Sequence, residues 1–524
     1  MAAYLPKGPV PVRNRERGQD ARGRAAPGAP ESAGLSAETA RRRSPHLRKE
    51  KDSEAKKEDI MSRVKNMTQG SPAKLIFSFA LPLILGNLGQ QLYAITDTVI
   101  VGQGVGLGAL ASLGATDWIY WFVLWPVQFL TQGFSVLITQ NIGAGDEKGT
   151  KRSIAMSALL CLVIGALISL IFPLMARPML RALRTPPEIF DGALAYITVM
   201  YAGTLVVMGY NMVSAVLRAF GDGKTPLIAM VIAAAVNIGL DLIFVLAFKW
   251  GIVGAAAATI FSQLVAFLYC LWIVGTIPAV KMEPRDWKIN RAVIKRLLQL
   301  GTPLAFSHVA IVIGGVILQF AINKFGPSFI AAFTATNKLY GLLESSAVSF
   351  GFATATYMGQ NWGARALARI RSGMKSALAL AAASALAISA AMLAFGKYLL
   401  MLFISASDAD APLVLDLAYQ YLQVLSATLI ILYILYVYRS ALQGMGNTVV
   451  PMVAGLLECG GRISVALLLP KIMGGYGLFF AESTAWTLSA VCVSASYYAF
   501  LRRLSPQDPG AGPKIKVKGF QRKG

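Results

Sequence analysis

Thr139-Gln140-Asn141-Ile142-Gly143-Ala144 and Gly359-Gln360-Asn361-Trp362-Gly363-Ala364 are two versions of one phrase, 220 residues apart. A second phrase repeats at an offset of 225, where Leu217-Arg218-Ala219-Phe220-Gly221 returns as Leu442-Gln443-Gly444-Met445-Gly446. Pro226 opens the helix after the first copy and Pro451 the helix after the second. Pro82 and Pro303 match at an offset of 221. A nearly constant offset across landmarks this far apart marks an internal duplication.

The residues between the landmarks set the class of fold. The chain is 55% hydrophobic and 14% charged, whereas about a quarter of the residues of an ordinary soluble protein are charged. Apolar runs follow one another near 75–100, 109–140, 153–176, 191–217, 226–248 and 251–275, then 293–322, 327–360, 372–396, 411–438, 449–469 and 475–501. Each is long enough to cross ~30 Å of hydrocarbon as a helix. The expected fold is therefore an all-α integral membrane protein, with about twelve transmembrane helices in two six-helix lobes. Six spans is an even number, so the two copies share one orientation. This is a parallel duplication about an axis along the membrane normal, with a cleft between the lobes. The expected segments are a disordered basic tail (1–60), an N-terminal lobe (61–280), a C-terminal lobe (281–503) and a basic cytoplasmic tail (504–524).

A net charge of +23 suggests nucleic acid until it is mapped. Residues 1–60 hold 14 Lys/Arg and 9 Asp/Glu, so +18 lies beyond them, mostly in short loops and in the last residues from Lys514 onward. Basic charge beside membrane spans sets topology. With the N-terminus inside, 16 Lys/Arg fall on the inner connections and 7 on the outer ones, Arg177, Arg181 and Arg184 among the latter. The expectation is a multi-pass protein of the plasma (inner) membrane with both termini cytoplasmic and no nucleic-acid partner. Residues 1–60 have no signal-peptide core and too few large apolar residues to fold. They read either as a lipid-attracted regulatory tail or as the result of a start codon assigned upstream of Met61. The sequon Asn66-Met67-Thr68 then lies in the cytosol and has no use there.

Several chemistries find no support. Cys161, Cys270, Cys459 and Cys492 are isolated in apolar runs, without a CxxC pair. There is no GxxxxGK[ST], HExxH or GxSxG. Gly102, Gly104, Gly106 and Gly108 follow no strand. The chain does not read as an enzyme and implies no cofactor.

An ionisable residue inside a span costs a few kcal/mol and is a functional candidate by default. Asp97 lies about 22 residues into the first span and Asp241 about 15 residues beyond Pro226, both past the midplane. Asn237 is one turn before Asp241 on the same face. Thr259 of the sixth span and Tyr196 of the fourth reach a similar depth. Such oxygens suit a proton or Na⁺, since burial and a second carboxylate favour the neutralised form.

The C-terminal half differs. The position equivalent to Asp97 falls near Leu318, beside Gln319, and the equivalents of Asn237 and Asp241 are Arg462 and Ala466. The second copy lacks the carboxylates, so a mirrored site is not expected. Glu458 and Arg462, spaced i,i+4, read as a pair that neutralises itself along one helix. Lys338 and Glu344 are six residues apart and cannot pair in that way. With His308 and Gln319 they are candidates to line a substrate cavity. His308 is expected to hydrogen-bond a neighbouring helix, and Trp118, Trp121 and Trp125 to pack or to sit at the membrane interface.

Five phrases in fixed order between Asp97 and Ala256, in a chain whose apolar runs extend over about 430 residues, carry a resemblance. They are Asp97-Thr98-Val99-Ile100-Val101-Gly102, Gln140-Asn141-Ile142-Gly143-Ala144-Gly145-Asp146, Gly221-Asp222-Gly223-Lys224-Thr225-Pro226, Asn237-Ile238-Gly239-Leu240-Asp241 and Gly251-Ile252-Val253-Gly254-Ala255-Ala256. The chain resembles the multidrug and toxic compound extrusion (MATE) family of the multidrug/oligosaccharidyl-lipid/polysaccharide flippase superfamily. The resemblance implies two six-helix lobes around a central cavity. It also implies an N-lobe cation site at Asp97, Asn237, Asp241 and Thr259, with Tyr196 a looser match. Ser307 and His308 stand where some members carry a glutamate, which argues against a coupling site in the C-lobe. The implied function is secondary active efflux of amphipathic or cationic compounds in exchange for H⁺ or Na⁺, by alternating access. The alternative is a lipid-linked saccharide flippase, which would need several cavity cations where only Lys338 and Arg462 are available. An intramembrane enzyme or a receptor has less support. The expected partners are small molecules and the lipid bilayer, and the expected working unit is a monomer.

Overall fold

The computed structural model describes residues 65–404 and 410–503. The expected tails 1–60 and 504–524 lie outside these residues. Twelve long helical segments follow one another: α1 (Pro72–Gly104), α2 (Leu107–Gly143), α3 (Glu147–Ala182), α4 (Pro187–Ala202, then Thr204–Ala219), α5 (Lys224–Asp241, continued through Leu242–Ala247), α6 (Gly251–Thr276), α7 (Arg291–Ile322), α8 (Pro327–Gly363), α9 (Leu367–Leu400), α10 (Ala411–Gly444), α11 (Val449–Leu468) and α12 (Ala481–Arg503). No strand occurs among the described residues.

Length and apolarity alone admit nine of these as spans, or ten with bent α4 counted, taking Val449–Arg503 as one stretch of 55 residues. At ~1.5 Å per residue that stretch would be more than twice as long as the hydrocarbon core is thick. It turns back at Pro470–Phe480, and α11 packs against α12, so it makes two crossings. Helix α8 fails the apolarity test because it carries polar residues throughout, Lys338 and Glu344 among them. It is nevertheless 37 residues long and packs in the centre of its half. Two helices depart from regularity. Helix α4 bends by 44° at Gly203, and the Leu205 N–H beyond the bend donates to Ser169 Oγ of α3 at 2.9 Å. Past Asp241 the helix widens, with the Phe248 N–H donating to the Ile243 carbonyl at 2.8 Å, an i→i+5 bond.

The duplication is visible in packing and in backbone. Contacts α1–α5, α5–α6, α2–α4 and α4–α6 are repeated as α7–α11, α11–α12, α8–α10 and α10–α12. The contacts between halves, α2–α7 and α8–α1, exchange with each other under the same operation. Gly221 ends α4 at φ 80°, and its equivalent Gly446 ends α10 at φ 85°. Gly145 ends α2 at φ 68°, whereas its equivalent at the end of α8 is Arg365, held at φ 57° without glycine's freedom. Leucines of α3 such as Leu170 and Leu174 are 69% and 79% exposed. An apolar face this bare belongs against lipid.

The repeated phrase of the opening paragraph closes one face of the molecule. Gln140 Nε2 donates to the Gly444 carbonyl at 2.9 Å, and Gln360 Nε2 donates to the Ala219 carbonyl at 2.8 Å. Each glutamine of one half thus binds a helix end of the other, in equivalent places. The Met67 N–H, ahead of α1, donates to Gln360 Oε1 at 2.8 Å, so this face also carries the approach to α1. A Cβ at Gly143 would stand 1.9 Å from the Gln360 carbonyl oxygen, and one at Gly363 1.9 Å from that of Gln140. Only glycine permits so close a seam. Further along α8 the fit loosens, and a Cβ at Gly341 would meet Gln91 at 3.7 Å. A Cβ at Gly114, near the other end of α2, would meet nothing within 4 Å. The halves are sealed at this face, and the cleft between them opens toward the far face.

Candidate functional site

In the N-terminal half, α1, α5 and α6 pack on one another. Asp97 comes from α1, while Asn237 and Asp241 come from the last turns of α5. Asn237 and Asp241 are fully buried, and Asp97 is half-buried. The carboxyl groups of Asp97 and Asp241 lie within hydrogen-bonding reach of each other. Asp97 Oδ1, both carboxyl oxygens of Asp241 and both polar atoms of Asn237 find no donor or acceptor among the described residues. Two carboxylates hold such a contact only across a shared proton or a cation, and buried polar groups are otherwise almost always satisfied. This oxygen-rich set fits a proton or a hard monovalent cation. The widened turn begins directly after Asp241, as such irregular turns often do at functional positions.

The other two N-lobe residues are placed differently. Thr259 is half-buried on α6, and its hydroxyl makes no hydrogen bond to either carboxyl. Tyr196 is half-buried on α4 against an apolar cluster that includes Ile119, Ala193 and Ile197.

The C-terminal half corrects two expectations. Glu458 and Arg462 do not pair with each other. Glu458 pairs with Arg439 of α10, and Arg462 makes a two-point bridge to Glu482 of α12, at 2.9 and 2.6 Å. Partners from neighbouring helices meet α11 head-on, and a planar guanidinium favours the two-point geometry that an i,i+4 partner cannot offer. His308 bonds within its own helix, Nδ1 to the Leu304 carbonyl at 3.1 Å, while its ring stacks on Phe129 of α2 across the seam. Glu344 accepts from Tyr436 Oη at 2.8 Å. Gln319 Nε2 donates to Asn323 at 2.9 Å near the end of α7, away from these groups. Lys338 is exposed on α8, close enough to Asp117 of α2 to act on its charge.

Four charged residues escaped the sequence reading. Asp117 lies inside the second apolar run and met the same criterion as Asp97. Arg439 was counted as a loop cation, yet α10 runs on to Gly444 and buries it. Arg218, counted likewise, lies within α4 with its guanidinium 4.8 Å from the Phe352 ring. Glu482 opens α12 just inside the last run.

A duplicated twelve-helix bundle with a cleft between its halves and acid groups buried in one of them has the architecture of a membrane transporter. The MatE family model matches residues 82–243 and again 303–468, once in each half. The "Probable multidrug resistance protein YpnP" of Bacillus subtilis is 31% identical over 349 residues, which are 66% of this chain and 78% of that protein. The "Multidrug export protein MepA" of Staphylococcus aureus is 20% identical over 433 residues, 82% of this chain and 95% of its own. A solved structure described as "Outward-facing conformation of a multidrug resistance MATE family transporter of the MOP superfamily" aligns with a TM-score of 0.77 at 23% identity, covering 84% of this chain and 98% of that one. The chain belongs to the MATE family of transporters.

Proposed function

We propose that the chain is a secondary active antiporter that expels amphipathic, often cationic, compounds in exchange for H⁺ or Na⁺. The observation that carries this reading is the Asp97–Asp241 contact, two acid side chains buried together without a donor between them. The excess of basic residues in the loops on the sealed side supports an orientation in the plasma (inner) membrane with that face cytoplasmic, in which the cleft opens outward. A monomer suffices, because one chain supplies both lobes.

Cation entry must favour one cleft orientation over the other for exchange to follow. Helix α1 offers a route. It holds Asp97 against α5 on one side, and on the other packs on α8, where Asn87 Nδ2 donates to Ser349 Oγ at 3.0 Å. Drawing Asp97 and Asp241 together or letting them part shifts α1 against the opposite lobe. Asn237 supplies a further oxygen. A flippase for lipid-linked saccharides has weaker support, since Arg439 and Arg462 are each bound to a glutamate and leave Lys338 as the exposed cation of the cleft.

The test is dye transport in proteoliposomes with ΔpH and ΔNa⁺ imposed separately. Asp97→Asn removes the charge and nearly keeps the shape, and should bring driven transport down to that of protein-free liposomes. Driven transport by Asp97→Asn at the wild-type rate would refute the assignment.

A further inference from the structure

One face of α2 combines features that the coupling site does not use. Asp117, Trp121, Trp125 and Phe129 follow at i,i+4 spacing, so they form one continuous stripe. Both ends of the stripe face the opposite lobe. Asp117 lies near Lys338 of α8, and Phe129 stacks on His308 of α7. The stripe therefore runs along the cleft wall and not against lipid. Asp117 is exposed to the cleft, and Trp121 and Trp125 are half-buried with ring centroids 5.4 Å apart. The Trp121 indole N–H lies within reach of the Asp117 carboxylate. Asp117 and Lys338 form no ion pair, although each lies in the other's field.

We propose that Asp117, Trp121 and Trp125 form a subsite on α2 for the positive end of an organic cation, with Lys338 as the counter-ion of the empty cleft. The inference deepens the efflux reading above and rests on it. A carboxylate beside two indole faces is what a bulky, weakly hydrated cation needs: charge attraction at one point and cation–π and apolar contact over the rest. The compact, strongly hydrated ammonium of Lys338 gains little from indole, so an aromatic cation displaces it. While the cleft is empty, Lys338 keeps Asp117 from standing as a bare charge. It also opposes every cationic cargo, which makes it a residue that sets the affinity threshold.

The test uses the full chain purified in nanodiscs, with binding of radiolabelled tetraphenylphosphonium and of tetraphenylborate, its anion of matching shape, measured separately. Asp117→Asn should weaken phosphonium binding on the order of tenfold and leave borate binding unchanged or tighter. Lys338→Gln should strengthen phosphonium binding several-fold and weaken borate binding. Trp121→Leu should weaken both, because it removes shared contact area. The gain expected for Lys338→Gln separates the subsite from general damage, which would lower both affinities. Wild-type phosphonium affinity in both Asp117→Asn and Lys338→Gln would overturn the proposal, as would equal losses for the two ions. If Asp117→Asn binds normally while gradient-driven export continues, the subsite falls and antiport stands. If phosphonium binding depends on Asp117 while neither gradient drives transport, antiport falls and the subsite stands.

Discussion

Replacing Gly143 and Gly363 by alanine should push the transporter out of the conformation described here. An added Cβ at either position would stand 1.9 Å from a carbonyl oxygen of the opposite lobe, whereas ordinary contact begins at 3.4 Å. The obstructing atoms are backbone atoms of Gln360 and Gln140, and they cannot rotate aside as a side chain would. The lobes must therefore separate at the sealed face, which strains the cross-lobe bonds of both glutamines. Overpacking of this kind costs about 1–3 kcal/mol per site. The cost falls on the sealed state alone, so each substitution should shift the balance between sealed and unsealed states by roughly 5- to 150-fold. Spin labels at Lys148, which begins α3, and Arg371, which begins α9, report the separation across that face from exposed positions. Double electron–electron resonance on the Gly143→Ala, Gly363→Ala pair should show a longer distance population that is minor in the parent. An unchanged distribution in folded, monodisperse protein would refute the reasoning, because it would mean that the seam absorbs two methyl groups without opening.

Asp241→Asn should impair coupling as Asp97→Asn does. If its ΔpH and ΔNa⁺ dependence matches wild type, the site is a single carboxylate. Arg462→Met should lower thermal stability in detergent by about 3–5 kcal/mol because it strands Glu482 in the interior, and a double Arg462→Met, Glu482→Met replacement should recover most of the loss. Lys65 has its pKa lowered by burial and then by neighbouring Lys224. The unfolded chain therefore binds more protons than the native one between the lowered value and the ordinary lysine value of 10.5, and stability should rise with pH through that window. Lys65→Met should flatten this rise in a thermal melt taken as a function of pH.

The fold was legible because membrane helices announce themselves by length, and because duplicated helix ends keep their backbone chemistry. The glutamine and glycine of each copy fill one structural role, so the offset of 220 between Gln140 and Gln360 was a statement about contact. The bend of α4 at Gly203 was not legible, since glycine in an apolar run costs little to carry. Asp97 and Asp241 stood out as candidates because a carboxyl in a span has few reasons to be there, and Asn237 because it lies one turn from Asp241. The ion pairs of the C-terminal half were misread because spacing along one helix says nothing about which neighbour comes closer. Arg439 and Glu482 both sat near run ends, where hydropathy cannot separate a buried charge from a loop charge.

That misreading bears on how the two halves differ. As an i,i+4 pair along one helix, Glu458 and Arg462 could be neutralised together at little cost. In the structure that exchange breaks two pairs and strands Arg439 and Glu482 in the interior. The neutral exchanges that keep partners matched are Arg439 with Glu458 and Arg462 with Glu482. The C-terminal half holds Arg439, Glu458, Arg462 and Glu482 in closed pairs tied across three helices, and a closed pair resists titration because each partner stabilises the other's charge. The N-terminal half holds two acids that meet without a donor. The two copies of the six-helix unit have thus diverged into one with paired buried charges and one whose two buried acids meet each other without a donor. The proposed antiport calls for that division. Swapping Arg439 and Glu458 for a matched apolar pair should therefore leave ion-driven transport largely intact at temperatures where the protein stays folded. Loss of ΔpH- or ΔNa⁺-driven transport as complete as that of Asp97→Asn, in protein with an unchanged melting temperature, would show that the locked half takes part in coupling.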